Sequence, residues 1–357
     1  MKKLNIAIIG QGRSGKDIHG AYYISDRNVY YNVKYVVDKD ERRRRISEER
    51  YPGCVTLSDY RELLDKSDID LVVNASFSDD HYRISKYLIE HGFNVLVEKP
   101  FGATYREACT LIELAKAHGV TVAAFQNSQV APYYEYAKKL IADGTLGDVK
   151  QISIRFNGFS RRWDWQTLQK KCAGGTYNTG PHPIGLALGF LDFDPATRIA
   201  YSKLGTALTS GDGDDYSKII LEAPGKPCID IEIISCDAYC DYNVKVMGSR
   251  GNYKCTISKY ECTYIVDGEN PERPVIEHFL EDECGNPLYC SEQLIKHTES
   301  GSFDGTAFDI GTARIYEDMY YKITENRPLR VTPEMSAAIV GVIESVVAAT
   351  PLPVKFI

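Results

Sequence analysis

A short apolar run, Asn5-Ile6-Ala7-Ile8-Ile9, passes straight into Gly10-Gln11-Gly12-Arg13-Ser14-Gly15, and a helical pattern starts near Lys16. Strand, glycine turn and helix in that order restrict the fold strongly. The first glycine permits a tight turn, and the second lets backbone approach a pyrophosphate. The third allows close helix–sheet packing, with phosphates at the helix N-terminus. The glycine spacing alone is a weak signal, but the flanking strand and helix give it weight. The next apolar run, Val33 to Val37, ends in Asp38. A carboxylate about 20 residues beyond the glycines hydrogen-bonds an adenosine ribose diol and repels a 2′-phosphate. Gly10, Gly12, Arg13, Ser14, Gly15 and Asp38 are thus candidate contacts for NAD. NADP is the alternative, because Arg42-Arg43-Arg44-Arg45 lies close by and guanidinium groups accept phosphate. Flanked by Glu41, Glu48 and Glu49, those arginines read first as a solvated helix face.

Strand and helix patterns then alternate. Asp70–Ala75 reads as a strand, 82–90 as a helix, Val95–Val97 as a strand, 105–118 as a helix and Thr121–Phe125 as a strand. This is the rhythm of a doubly wound parallel sheet. After a helix near 133–142 the texture changes to strands in succession at 151–156, 218–221, 228–235 and 243–247, the longer ones with period two. The chain closes on helical patterns at 311–325 and 333–349. With 357 residues, two domains are expected. The fold class is α/β: a Rossmann domain over 1–127, then an α+β domain over 128–357 with a large, mostly antiparallel open sheet, serving substrate binding and oligomerisation.

Two segments carry chemistry. Val95-Leu96-Val97 ends abruptly in Glu98-Lys99-Pro100. Buried parallel strands stay apolar, and their carboxyl ends open onto the ligand crevice. A carboxylate and an ammonium there mark either a rim ion pair or the edge of an active site. Gly174-Gly175-Thr176-Tyr177-Asn178-Thr179-Gly180-Pro181-His182-Pro183 is the second, a constrained backbone holding His182 near a helix start. That histidine suits either a buried hydrogen bond or proton transfer. Upstream, Arg161-Arg162-Trp163-Asp164-Trp165 mixes guanidinium, indole and carboxylate groups, which suits either a sugar-binding wall, by stacking and hydroxyl hydrogen bonds, or the anchor of a loop; Arg162, Trp163 and Asp164 are the candidates for substrate recognition. Gly211-Asp212-Gly213-Asp214-Asp215 lacks the glycine and glutamate positions of a calcium loop, so an acidic turn is expected and no metal.

The net charge of −7 argues against nucleic-acid or anionic-membrane surfaces, and no apolar stretch is long enough to span a bilayer. The amino-terminal residues run into a strand with no cleavable apolar region. Ten scattered cysteines read as reduced thiols, so a cytoplasmic protein is expected.

In order, the glycine loop at 10–15, Asp38, the loop Ser76-Phe77-Ser78-Asp79-Asp80-His81, Glu98-Lys99-Pro100, Asn127 and the distant Gly-x-His ending at 182 resemble the Gfo/Idh/MocA family of NAD(P)-dependent sugar and inositol oxidoreductases. The resemblance runs over nearly the whole chain. It implies Ser76, Phe77, His81, Glu98, Lys99 and Asn127 as cofactor contacts, and Lys99 and His182 at the reacting carbon, with Asn178 beside them. Arg162, Trp163, Asp164, Tyr177, Asn178 and His182 are then the expected substrate contacts. Where many members carry an aspartate four residues before the histidine, Asn178 stands here; Gly185 and Ser128 replace an aspartate and an arginine. An asparagine brings no negative charge to His182. The expected activity is hydride transfer between a secondary alcohol of a sugar, inositol or glycoside and NAD, with His182 as base and Lys99 polarising the oxygen. Two alternatives are an NAD-dependent glycosidase working by transient oxidation and elimination, and a non-catalytic nucleotide- or sugar-sensing protein. A homo-oligomer, dimer or tetramer, is the expected partner state.

Overall fold

The computed structural model describes residues 2–356; Met1 and Ile357, the outer ends of the two expected domains, lie outside them. Strands β1 (Leu4–Ile9), β2 (Tyr31–Val37), β3 (Val55–Leu57), β4 (Leu71–Asn74), β5 (Val95–Val97) and β6 (Val122–Ala124) form one parallel sheet in the order β3-β2-β1-β4-β5-β6. The order reverses beside β1, and such a switch point opens the ligand crevice of doubly wound sheets. The helices of this half are α1 (Gly20–Tyr23), α2 (Glu41–Arg50), α3 (His81–Glu90) and α4 (Tyr105–His118). Thr104 caps α4 by accepting the Glu107 amide, and Gly119 ends it in the left-handed region. Ile84 and Leu88 of α3 and Leu111 and Ile112 of α4 pack on one face of the sheet. A π-helical turn, Ser14–His19, precedes α1.

The second sheet comprises β7 (Val149–Arg155), β8 (Arg198–Gly205), β9 (Tyr216–Glu222), β10 (Cys228–Ile234), β11 (Val244–Gly248), β12 (Gly251–Cys255), β13 (Lys259–Tyr264) and β14 (His297–Ser302). Its order is β14-β13-β12-β11-β7-β10-β9-β8, antiparallel throughout except between β7 and β10. Ile219, Leu221, Ile229 and Ile231 face a core built with α5 (Pro132–Ala142), α7 (Pro181–Phe190) and the last helix, 333–349. The opposite face carries crossed ion pairs: Lys218 reaches Asp230 at 2.5 Å and Glu232 at 2.8 Å, and Arg155 reaches Glu232 at 3.1 Å. Between β13 and β14 the chain makes an exposed excursion that carries Val275, Phe279 and Tyr289 in solvent.

The division at residue 127 misplaces one helix. Ile315, Tyr316, Met319 and Tyr320 of 312–325 pack with Leu4, Ile6, Ile8 and Tyr31 of the first sheet. Their helical spacing gives the apolar stripe from sequence; which sheet receives it is decided by tertiary packing. No helix among the described residues is long and apolar enough to cross a membrane.

Candidate active site at the crevice between the sheets

The glycine loop divides into packed and open positions. Gly10 has φ +89°, and a Cβ there would sit 2.4 Å from the Ala75 carbonyl oxygen; one on Gly15 would meet the Gly10 carbonyl at 1.8 Å. Gly12 faces open space, with no atom within 4 Å of a built Cβ. The packing glycines are therefore fixed by the protein itself, while Gly12 leaves the room a pyrophosphate needs. Half-buried Ser14 and exposed Arg13 sit on the same turn. At the end of β2, Asp38 accepts the Gln11 amide at 2.7 Å and the Asp40 amide at 2.9 Å. The carboxylate expected to meet a ribose is thus tied directly to the glycine loop. These residues fit a dinucleotide. The arginine run departs from a purely solvated face. Arg42 and Arg45 pair outward with Asp40 and Glu41, but Arg43 lies 3.6 Å from the Asp38 carboxylate and Arg44 caps the Asp38 carbonyl at 2.7 Å. Helix α2 starts at its cap Asp40, so positions one turn in face back toward the strand end.

A Gly12→Val chain should therefore melt within about 2 °C of the parent, since nothing is displaced, yet bind NADH at least about tenfold more weakly. Fluorescence titration of NADH checks this; unaltered affinity would place the phosphates elsewhere.

Glu98, at the end of β5, is only 4% exposed. Its Oε1 lies 3.1 Å from His19 Nε2 and its Oε2 accepts the Lys99 backbone amide at 3.0 Å. His19 is wholly buried against Phe125, with Nδ1 2.7 Å from the Tyr316 hydroxyl. Burial would push the Glu98 carboxyl up. The hydrogen bond from His19 and the charges of His19, Lys99 and His81 outweigh it and hold the group at about 2. The Lys99–Pro100 peptide is cis. Lys99 Nζ donates to the Asn178 carbonyl at 2.7 Å, so the lysine reaches from the end of β5 to α6 (Gly175–Asn178). Burial lowers its pKa, Arg13 and Arg162 lower it further, and Glu98 opposes them.

On the far side, His182 stands in the first turn of α7, its ring nearly parallel to Phe156 at 6.2 Å. Nδ1 is 2.7 Å from Ser128 Oγ. Burial and then the Lys99 charge push the imidazole down to about 3, with Glu98 opposing. Asn178 makes no hydrogen bond to His182 among the described residues; its side-chain oxygen accepts from Gln166 at 2.9 Å. Phe156, Asn157, Arg162, Gln166, Asn178 and Asp214 line part of a cavity of about 240 Å³. The two glycines before Thr176 have a packing reason. Gly174 has φ +103°, and a Cβ there would lie 2.5 Å from the Asp214 carboxylate. That carboxylate accepts the Thr176 amide at 2.8 Å and its hydroxyl at 2.7 Å, capping α6. Burial and then Asp215 lift Asp214 to about 6 against the Thr176 bonds. The acidic turn faces inward rather than to solvent: Asp212 takes the amides of Gln169 and Lys355, and Asp215 those of Ala207, Leu208 and Thr209. Among the described residues no group of His, Cys, Asp or Glu is placed to hold a metal.

The remaining candidates fall into three groups. Phe77 meets Trp165 edge-on at 4.7 Å and Lys171 pairs with Asp79 at 2.7 Å, so the loop that begins at Ser76 closes on the second half of the chain. His81 is turned inward, with Nδ1 2.8 Å from the Pro100 carbonyl and Nε2 3.2 Å from that of Ser76. Asn127 donates to the Ala307 carbonyl at 3.0 Å, while its side-chain oxygen is buried with no partner among the described residues. Tyr177 donates its hydroxyl to the Ala103 carbonyl at 2.9 Å. Arg162 pairs with Asp164 at 2.5 Å and also reaches Gln166. Trp163, expected in a sugar-binding wall, is 76% exposed and outside the cavity. Asp164 caps the turn Trp165–Thr167 through the Gln166 amide, which rotates its neighbour outward and brings Trp165 in. His19 and Gln166 carried no motif of their own, though His19 lies shortly past the glycine loop; Ser128 and Asp214 stood in the sequence only as a departure from the family pattern and as part of an acidic turn.

Two family models match the chain: an oxidoreductase family with an NAD-binding Rossmann fold over residues 4–126, and the GFO/IDH/MocA C-terminal domain over 134–254. An uncharacterized oxidoreductase of Escherichia coli, YhhX, is 35% identical over 157 residues, 43% of this chain and 44% of that protein. A scyllo-inositol 2-dehydrogenase (NADP(+)) of Bacillus subtilis is 26% identical over 52% of this chain and 51% of its own. A 2,7-anhydro-N-acetylneuraminate hydratase of Mediterraneibacter gnavus is 25% identical over 82% of this chain and 78% of its own. Among solved structures, GenD2 from gentamicin A biosynthesis in complex with NAD superposes with a TM-score of 0.74 at 22% identity, covering 98% of this chain and 94% of that one.

Proposed function

We propose, from the premise that this chain belongs to the Gfo/Idh/MocA oxidoreductases, that it transfers a hydride between a secondary alcohol of a sugar, inositol or glycoside and NAD. The observation that carries this reading is Lys99, which ends a strand of the NAD-binding sheet and reaches the Asn178 carbonyl beside the cavity, within electrostatic range of His182. Gly10, Gly12, Arg13, Ser14, Gly15 and Asp38 would hold the dinucleotide, with Ser76 and Phe77 at its rim; His81 and Glu98 support those backbone turns from beneath. A bound nicotinamide accepts the hydride. The protein's own part is to orient the carbinol and handle its proton. Arg162, Gln166 and Asn178 offer hydrogen bonds to further hydroxyls, and Lys99 and His182 face the reacting oxygen. Asp38 favours NAD, and Arg43 is the group a 2′-phosphate of NADP would meet. Screening inositols, aldoses and glycosides for NADH absorbance tests the reading; no NADH with any member would overturn it.

A second reading, redox-neutral cleavage through transient oxidation, draws support from the hydratase relative that aligns over 82% of the chain. It needs a base beside the carbonyl. Of the candidates Tyr177, Asp164 and His182, the Tyr177 hydroxyl is committed to Ala103 and Asp164 to Arg162, which leaves His182 of those three for that task. A nitrophenyl glycoside separates the two: aglycone without NADH supports cleavage, NADH with intact glycoside supports the dehydrogenase. A sensing role without catalysis has no use for the Lys99 and His182 pair.

We also propose a homo-oligomer, supported by the exposed Val275, Phe279, Leu288 and Tyr289 of the β13–β14 excursion. Light scattering at micromolar concentration should give a mass at least twice the 40.1 kDa chain; a monomer would refute it.

A further inference from the structure

We infer that the substrate is a sugar acid, and that Arg162 and Asn178 bind its carboxylate. The inference rests on the hydride-transfer reading above for placing a sugar in this cavity. It follows from the hydrogen-bonding groups that the cavity wall leaves unused. Arg162, Gln166 and Asn178 line the cavity and form a row. Arg162 Nη2 donates to Gln166 Oε1, and Gln166 Nε2 donates to Asn178 Oδ1 at 2.9 Å. A guanidinium only donates. The Gln166 oxygen must therefore face Arg162, and its nitrogen must face Asn178. Asn178 is fixed in turn, with its side-chain oxygen consumed and Nδ2 left over. That Nδ2, and Nε and Nη1 of Arg162, make no hydrogen bond among the described residues. The main-chain carbonyl of Asn178 is taken by Lys99. The row thus presents donors only.

The acidic side chains around the row are spent on the protein itself. Asp215 accepts the amides of Ala207, Leu208 and Thr209. One oxygen of Asp214 takes the amide and hydroxyl of Thr176, and the other packs against Gly174, where a Cβ would come within 2.5 Å. Asp164 is paired with Arg162 at 2.5 Å, but the two side chains are 40% and 50% exposed. An ion pair that open to solvent is weak, so a substrate carboxylate can replace Asp164 on the guanidinium.

A hydroxyl donates as well as accepts, and a wall built for a neutral polyol would offer both kinds of partner. Unused donors beside a fixed cation suit a group that only accepts and brings negative charge. A carboxylate has one charge and two oxygens in a plane, the form that a guanidinium binds best. A phosphate monoester carries about two charges and would need a further cation, since Lys99 is engaged at the reacting oxygen. Asn178 is then the residue that sets the selectivity. An aspartate there would keep the bond from Gln166 but put a charged oxygen in place of Nδ2, against the substrate carboxylate. Arg162 and Asn178 recognise the acid group and take no part in the hydride transfer.

Calorimetric titration of the full-length chain, saturated with NADH, tests this with matched probes: D-glucuronate, D-galacturonate and D-gluconate, the neutral hexoses D-glucose and D-galactose, and the phosphate monoesters of those hexoses. At least one acid should bind at least about tenfold more tightly than its neutral counterpart. Arg162→Gln should bring that ratio to within about threefold of one, and Asn178→Asp should turn the preference toward the neutral sugar. Each ratio is taken within one protein, so a loss of folded material cannot imitate the change, and if one variant fails to fold the other carries the comparison. The inference is overturned if no acid is favoured over its neutral counterpart, if a phosphate monoester is favoured over the acids, or if either folded variant leaves the ratio unmoved. NADH formation is read separately. An acid that binds tightly but is never oxidised would sink the hydride-transfer reading and leave the recognition of the carboxylate standing; neutral sugars oxidised while acids are ignored would do the reverse.

Discussion

Lys99→Met is expected to lower kcat on any sugar the screen identifies by about 10²–10⁴-fold, while the NADH dissociation constant changes less than about threefold. Methionine keeps the length and most of the packing of the lysine stem and removes only the nitrogen. That loss deletes the hydrogen bond to the Asn178 carbonyl, worth about 1 kcal/mol of stability, and one of the two groups proposed to face the reacting oxygen. Gly12 and Asp38, the open cradle and its carboxylate, lie at the ends of other strands, so cofactor affinity has no reason to follow. The pH profile carries the sign. Lys99 has its pKa lowered from 10.5 by burial, with Glu98 opposing and Arg13 and Arg162 adding to the fall; if Lys99 accepts the hydroxyl proton, oxidation requires the unprotonated amine. The rate of alcohol oxidation should therefore rise with pH and level off below the ordinary lysine range, and ketone reduction should fall over the same interval. His182→Gln keeps an N–H donor and should cost less than Lys99→Met. If His182→Gln were the more damaging change, or if Lys99→Met lost less than about fivefold, the base would not be the lysine.

The parts of this site that sequence exposed are those where local chemistry and tertiary demand coincide. Gly10 and Gly15 are required by contacts within one strand–turn–helix unit, and a turn of that kind is visible in a single sequence. Asp38 follows from strand length. The bounds of 105–118 agree with the helix because Thr104 and Gly119 cap it. Strands β12, β13 and β14 left no such trace. His-Thr-Glu-Ser-Gly-Ser has no apolar residue to alternate, and β14 is a strand only because β13 pairs with it. β8 is largely exposed along its length and shows no clean period. The same distinction holds at the reaction centre. Lys99 and His182 stood in recognisable segments, whereas Ser128, which shares a hydrogen bond with His182 from 54 residues away in sequence, showed only as a departure from the family pattern. Trp163 misled because an indole beside an arginine looks like a binding wall, and only the cap at Asp164 shows which way it turns.

The return of the helix at 312–325 to the first sheet has a counterpart in the site, since Tyr316 delivers its hydroxyl to His19 and His19 its ring nitrogen to Glu98. His19→Leu, nearly the same volume, is expected to destabilise the protein by about 3–5 kcal/mol, the cost of leaving a buried charge without its partner, and to lower the melting temperature by on the order of 5–10 °C. The acid limb of stability should change as well. In the parent, Glu98 is held at about 2 against an ordinary 4.5. Its contribution, on the order of 3 kcal/mol, is fully present above pH 4.5 and lost as pH falls from there toward 2. Without the His19 donor, burial is opposed only by the Lys99 amide and the charges of Lys99 and His81. The folded carboxyl then titrates higher, and this acid-labile share shrinks or reverses. Urea unfolding of parent and variant between pH 3 and 7 reads both effects. Adding Glu98→Gln to His19→Leu removes the stranded charge and should restore more than half of the loss, a coupling that independent sites would not show. Because Glu98 Oε2 holds the Lys99 amide at 3.0 Å, the single variant should also lose kcat while binding NADH normally. A His19→Leu protein of parental stability, or a double variant no better than the single, would mean that the carboxylate at the end of β5 is held by something other than this histidine.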